Sequence, residues 1–316
     1  MNIGITYDLQ TDPGDPAQAE FDPPRTVDAL CGALDALGHH VVRLGSAHEL
    51  LRRRAQCREL DLVFNIAEGS ESRCREAWVP ALLEVLHVPY VGSGPGALAL
   101  GLDKVASKRL AVGCGVATPA WMTVEDPARW DGRVTVRLPA VVKPRFEGSG
   151  LGIDAGAVVA DPASAAARVR WLHARLRLPV LIEEFVPSGE LTVCLIGNEP
   201  PLAYPAIQRP LDPATGLAWH VAGRAGGDGE SPIELTEALD AEARRIAAEV
   251  FDALGCRDLA RVDLRVDGRG QAWFLEINPL PSFDPDGSFG LLAEYVGATY
   301  TDMIGRILDA ACARVA

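Results

Sequence analysis

Near the end of the chain, two short runs each finish in groups that bind hard cations. Arg261-Val262-Asp263-Leu264-Arg265-Val266 and Trp273-Phe274-Leu275-Glu276-Ile277-Asn278-Pro279 read as strands. Glu276 and Asn278 are two apart, so on a strand they share a face. Asp267-Gly268-Arg269-Gly270 is a turn signal that pairs the runs as a hairpin. That pairing brings Asp263 toward Glu276 and Asn278. Two carboxylates and an amide oxygen suit Mg2+, which takes oxygen ligands and bridges substrate phosphates. A structural hairpin with solvated acids is the plain alternative. Acids inside an apolar run are costly to bury without a partner, so the metal reading is preferred.

A second stretch, Leu138 to Gly152, is a strand that runs into a glycine loop. Lys143 leaves the strand as a point charge for a phosphate, and Gly148, Gly150 and Gly152 let backbone N–H groups approach an anion. The spacing is neither a Walker loop nor a G-x-G-x-x-G after the first strand, and a plain hairpin is the alternative, against which the Lys just before the loop favours an anion. Lys104, in the helical run Gly101 to Lys108, reads on its own as a solvated surface group. Glu183 and Glu184 end an apolar strand, with Glu190 just beyond. Such a strand edge can offer backbone groups to an adenine and a carboxylate to ribose hydroxyls.

These groups need a frame. Residues 2–7 and 61–66 read as buried strands, with a helix over Thr26–Leu37 stopped by Gly38 and a strand over His40–Leu44. The β-α-β order predicts a parallel, doubly wound sheet. A helix at Ala77–Leu86, a short strand at Pro89–Val91 and the glycine cluster 92–96 close the first unit, 1–96. The second, 97–179, holds the Lys104 helix, strands at 121–124, 140–143 and 156–159, and a helix at 162–176. The third, 180–316, opens on a strand at 180–186 and carries a hairpin at 191–196, a helix at 236–254, the ligand strands and a final helix. Its glycine-rich stretch 205–231 is long for a loop and reads as a lid or binding loop.

The 316 residues are 48% apolar, enough for a large core and two or three domains. A formal net charge of -13 argues against nucleic acid as a main partner, though not against a nucleotide. Seven cysteines, an odd number with no C-x-x-C pair, argue against a disulfide or zinc framework and fit the cytoplasm. The N-terminus reads as a strand rather than a signal peptide, and no apolar run is long enough to span a bilayer.

Taken in order, the motifs resemble the ATP-grasp superfamily, and within it the D-alanine–D-alanine ligase family. The resemblance rests on Pro89–Gly94 with Leu102-Asp103-Lys104, Val142-Lys143-Pro144 with Glu147-Gly148-Ser149, and Leu181-Ile182-Glu183 with Glu190-Leu191-Thr192. Arg261-Val262-Asp263 and Leu275-Glu276-Ile277-Asn278 complete it, so it covers nearly the whole chain. It implies an α/β, ATP-grasp fold of three subdomains, with ATP between the central and C-terminal ones. By matching position, Lys104 and Lys143 contact the ATP phosphates under the loop Glu147-Gly148-Ser149. Glu183, Phe185 and Val186 line the adenine pocket, and Glu190 holds ribose. Asp263, Glu276 and Asn278 hold two Mg2+ ions, with Mn2+ as a substitute. Arg261 lies beside the reacting centre, Ser149 positions substrate, and backbone near Ser282 helps stabilise the oxyanion. The implied reaction joins small-molecule carboxylate and amine substrates through an acyl phosphate, releasing ADP and phosphate. A homodimer is common in the family and is expected here.

The chain departs from the family pattern where substrates bind. Asn65-Ile66-Ala67-Glu68-Gly69 replaces a His-Gly pair, followed by Arg73, Arg75 and Glu76. The mobile-loop Tyr and Lys are missing from 205–231, where Arg209, His220 and Arg224 read either as their replacements or as plain loop residues. Ser288 stands in for the serine on the second substrate's carboxylate, and Asp284 and Asp286 read either as a cation contact or as an acidic turn. Glu20 or Asp22 matches the glutamate that anchors the first amine. The departures favour a specialised amino-acid or dipeptide-like condensation, as in natural-product biosynthesis, over cell-wall D-alanyl-D-alanine synthesis. The alternatives are an ATP-binding module without ligase activity, and a carboxylase or phosphotransferase of the same fold.

Overall fold

The computed structural model describes residues 1–218 and 233–315. The first sheet is parallel, in the order β2-β1-β3-β4, from β1 (Asn2–Thr6), β2 (His40–Gly45), β3 (Leu62–Asn65) and β4 (Tyr90–Val91). Helix α1 (Pro24–Ala36) covers one face through Val27, Leu30 and Leu34, while α2 (Ala47–Arg52) and α3 (Trp78–Leu86) cover the other. The inner strands β1 and β3 are buried on both faces and read as near-continuous apolar runs, while the edge strand β2 leaves His40 and Arg43 exposed. Pro23-Pro24 starts α1 two residues before its expected first turn, because proline is pre-set for a helix N-terminus.

Next come α4 (Pro95–Leu102) and α5 (Lys104–Gly113), with Asp103 capping α5 through the N–H groups of Val105 and Ala106. The second sheet is antiparallel, ordered β5-β8-β6-β7, from β5 (Trp121–Val124), β6 (Ala140–Pro144), β7 (Val158–Val159) and β8 (Val180–Glu184), backed by α6 (Pro162–Leu176).

The third sheet pairs β9 (Gly189–Ile196) with β10 (Leu202–Ala203), β11 (Ile207–Arg209) and β12 (Leu259–Val266). Beyond β12 lies β13 (Ala272–Asn278). Helix α7 (Glu237–Leu254) packs on its apolar face, and α8 (Ser288–Tyr295) and α9 (Tyr300–Val315) return to the first sheet. The expected hairpin at 191–196 is a single strand, β9, which turns at Gly197 to meet β10.

Three elements pack away from the units in which the sequence placed them. β8 hydrogen-bonds along β5 and β6, so it completes the second sheet. Ala97 of α4 and Ala111 of α5 share a core with Leu191, Val193 and Val262, so these helices back the third sheet. Among the described residues, no helix is long and apolar enough to cross a membrane.

Candidate active site

Strict alternation makes the third sheet two-faced. Leu191, Val193, Val262, Leu264 and Ile277 face the α7 core. The opposite side carries Glu190, Thr192, Arg261, Asp263, Arg265, Glu276 and Asn278. In register, Asp263 stands between Thr192 on β9 and Glu276 on β13, and Arg261 stands opposite Asn278. The β12–β13 ladder shifts between Asp263 and Leu264, so Leu275 is an extra residue on β13. The bulge re-aims Leu275, which joins Glu276 in lining the same cleft, while Phe274 keeps its place in the core.

Asp263 is the hub. Its Oδ1 accepts from the Thr192 hydroxyl (2.8 Å); its Oδ2 accepts from Arg261 Nε (3.0 Å), Arg261 Nη2 (2.8 Å) and Asn278 Nδ2 (3.2 Å). Lys104 Nζ lies 3.1 Å from Glu276 and donates to the Glu147 carbonyl at 2.5 Å. Burial works against the Glu276 carboxylate, but Lys104, Lys143 and Arg261 outweigh it and bring its pKa down to about 2. The donor set fits a hard cation. Asn278 spends its Nδ2 on Asp263, which leaves its Oδ1 for an ion. Among the described residues no three His, Cys, Asp or Glu side chains gather closely enough to hold a metal, so the amide and a ligand's own oxygens are needed.

On one side of this patch, a cleft between the second and third sheets is lined by Lys143, Glu183, Phe185, Val186 and Glu190. Glu183 pairs with Lys143 at 3.1 Å and with Lys108, all three nearly or fully buried. Burial opposes the Glu183 carboxylate, yet the two lysines lower its pKa. Burial brings Lys108 down to about 8, with Glu183 opposing the fall and Lys143 adding to it. Arg265 closes the cleft floor. It donates to Glu190 (3.1 Å), the Val186 carbonyl (2.7 Å) and the Gly216 carbonyl (2.9 Å), and lies over the Phe185 ring.

On the other side, a second cleft of about 420 Å³ is lined by Glu20, Asp22, Glu68, Glu76, Ser149, Arg261 and Ser282. Here the N-terminal segment grips the glycine loop: Glu20 pairs with Arg75 and accepts from the Gly148 N–H at 2.6 Å. A Cβ at position 148 would lie 2.6 Å from the Glu20 oxygen, so only glycine permits that approach. Arg75 also donates to the Phe146 carbonyl (3.1 Å) and to the Glu147 carboxylate (3.3 Å). Burial lifts the Asp22 pKa to about 7, with Asp284 and Asp8 adding to it. Burial likewise lifts Glu76 to about 8, Glu20 and Glu147 helping and Arg75 and Lys104 opposing.

The sign of the linkage is direct. The folded protein holds these protons where the unfolded chain has lost them, so stability falls as pH rises from the ordinary carboxylate range toward those values. Tm is therefore expected to drop by several degrees between about pH 5 and about pH 8, which differential scanning fluorimetry measures. A flat or rising Tm would remove the acid cluster as the cause.

The expected site residues that fall within the described part of the chain have these places. Arg261, Lys104, Asp263, Glu276 and Asn278 converge, and Lys143, Glu183, Phe185, Val186 and Glu190 share the neighbouring cleft. Ser149, in the left-handed region at φ 49°, and Ser282 face the second cleft. The Glu147 side chain points toward Arg75, and its carbonyl meets Lys104. Ser288 accepts from Arg209 (2.6 Å), which also reaches Thr192 (3.1 Å). Asp284 and Asp286 are bridged by Arg25, and the Arg25 and Asp286 side chains are largely exposed. Arg224 and His220 lie outside the described residues.

Four residues without an assigned role also shape the site: Lys108, Arg75, Glu76 and Arg265. For Arg265 a signal existed, since residues 261, 263 and 265 are charged at alternate positions of an apolar strand.

Residues 110–309 match the family described as D-ala D-ala ligase C-terminus. A D-alanine–D-alanine ligase of a Synechococcus strain is 32% identical over 285 residues, covering 88% of this chain and 84% of its own length. An uncharacterised protein of Sinorhizobium fredii is 33% identical over 298 residues, covering 91% of this chain and 87% of its own. The crystal structure of D-alanine–D-alanine ligase from Bacillus anthracis complexed with ATP superposes with a TM-score of 0.76 at 21% identity. That superposition spans 100% of this chain and 98% of the other, and carries the ATP-grasp fold.

Proposed function

The chain belongs to the D-alanine–D-alanine ligase family, and from that premise we propose how its own residues carry out an ATP-dependent, ADP-forming amide ligation. The observation that carries the reading is the polar sheet face, where Arg261, Asp263, Glu276, Asn278 and Lys104 meet between two clefts.

ATP occupies the cleft between the second and third sheets. Phe185 and Val186 take the adenine, Glu183 sets the edge through its lysines, and Glu190 takes the ribose. Lys143 and Lys104 meet the phosphates, under the loop Glu147-Gly148-Ser149. Asp263, Glu276 and Asn278 would hold Mg2+, in our reading two ions, which offset charge on the transferring phosphoryl group. The amino-acid-like substrates lie in the second cleft, with Glu20 and Glu68 on the amine side. Arg224 and Ser288 complete the expected substrate set, Ser288 in concert with Arg209.

The substrate carboxylate attacks the γ-phosphate, giving an acyl phosphate and ADP. The amine of the second substrate then attacks the acyl carbon, phosphate departs, and an amide is formed. Arg261, with backbone N–H groups near Ser282, stabilises the oxyanion of that second step. Ser149 positions the substrate beneath the loop. We place the reaction in the cytoplasm, and include a homodimer in this reading. We also propose that the functional unit holding the nucleotide from above is the second sheet, β5 to β8.

A coupled ADP-release assay with product mass, run over pairs of amino acids, tests this. ADP should appear only when carboxylate, amine and Mg2+ are all present, and should stop on chelation. ADP that needs no amine would favour a phosphotransferase. ATP binding without ADP from any pair would favour a binding module.

A further inference from the structure

The second cleft holds more carboxyl groups than its own hydrogen bonds and ion pairs engage. Asp22 and Glu76 are 8% and 7% exposed, and among the described residues neither carboxylate has a hydrogen bond or ion pair. Half-buried Glu68 beside them has none either, and each line the same cavity. Glu68 feels the charge of both Glu76 and Asp22. The acids that share the cavity are already engaged, Glu20 with Arg75 and the Gly148 N–H, Glu147 with Arg75. Lys104, whose charge acts on Glu76, pairs with Glu276.

Buried carboxylates without partners are costly, and native proteins rarely keep them without a purpose. The three do not sit close enough together to hold a metal ion. Carboxylates that cannot converge on one metal ion can still each answer an organic cation, whose N–H donors are spaced along its own skeleton. One α-ammonium can answer one of these carboxylates or straddle two, which leaves charge for a second group.

We infer that the substrate in this cleft is a cationic amino acid, whose additional ammonium or guanidinium is held by Asp22, Glu68 and Glu76. The inference rests on the ligase reading above and names its substrate class. Protons held on these carboxylates at neutral pH would be released as the cation enters.

The test uses the full-length protein with Mg2+ and a non-hydrolysable ATP analogue. Isothermal titration compares arginine, lysine and 2,3-diaminopropionate with alanine, each as both enantiomers. At least one cationic amino acid is expected to bind ~10-fold or more tightly than alanine of the same configuration. Glu76→Gln and Asp22→Asn, both near-isosteric, should each cut that preference ~10-fold or more. Equal binding of alanine and every cationic amino acid by the unmodified protein would overturn the inference, as would a preference that survives both substitutions. ADP release from alanine pairs in that case would leave ligation standing. Conversely, a cationic preference abolished by the substitutions, with no ADP from any pair, would support the subsite and remove the ligase.

Discussion

Arg261→Ala is expected to lower kcat by ~10²–10³ while nucleotide affinity stays within about twofold. Arg261 faces the cleft opposite to the one that takes the adenine, and its two contacts to Asp263, at 3.0 and 2.8 Å, fix the guanidinium in one orientation. A donor held that rigidly costs no reorganisation when charge develops on the acyl oxygen, which is why its loss falls on turnover. Binding does not need it, because Lys104 and Lys143 remain. Arg261→Lys keeps the charge but not the planar fork, and should recover only part of the rate. Steady-state kinetics paired with nucleotide titration decide the matter, and equal losses in kcat and nucleotide binding would sink the assignment.

Glu183→Gln should cost about 3–5 kcal/mol of stability, because it strands two buried ammonium groups. Lys108 and Lys143 are 0% and 6% exposed, and Glu183 is the carboxylate that pairs with both. Its folded pKa is lowered, so its contribution is complete above the ordinary glutamate range and is lost as pH falls through the folded value. The variant should therefore lose its acid limb as well as its midpoint. Urea unfolding at neutral and acid pH reads both. A cost under about 1 kcal/mol would mean that one lysine sheds its proton instead, and Lys108, brought down to about 8, is the one placed to do so.

Much of this was legible from local pattern. Arg261, Asp263, Glu276 and Asn278 alternate with apolar residues, and Asp267 to Gly270 is a turn, so one hairpin delivers them together. The first sheet followed from β-α-β order for the same reason. What escaped depends on contacts between distant segments. Arg75 meets Glu20 and Glu147, 55 and 72 residues away, and no spacing rule pairs them. Arg25 reaches Asp284 and Asp286, 259 and 261 residues away, a bridge that local spacing does not show. The bulge at Leu275 escaped too, because strict alternation sends that residue into the core. The β8 strand looked like the start of a new unit, since sequence order alone does not show which neighbours a strand will choose.

The packing of the cores bears on how the enzyme would open. Ile3, Ile5 and Phe64 of the first sheet share one cluster with Cys194, Ile196 and Leu259 of the third and with Ile304 and Ile307 of α9. Asp258, wholly buried, rivets the same junction: it accepts from the Gly92 N–H (2.8 Å), Asn198 Nδ2 (3.1 Å) and Arg314 Nη2 (2.7 Å). The second sheet has its own core with α6 and joins this body chiefly at the cleft walls. Closure around a ligand moves one packed body against another about a few hinge residues. The jaw that swings to admit nucleotide would be β5 to β8, with the amino-terminal sheet travelling as ballast on the fixed half.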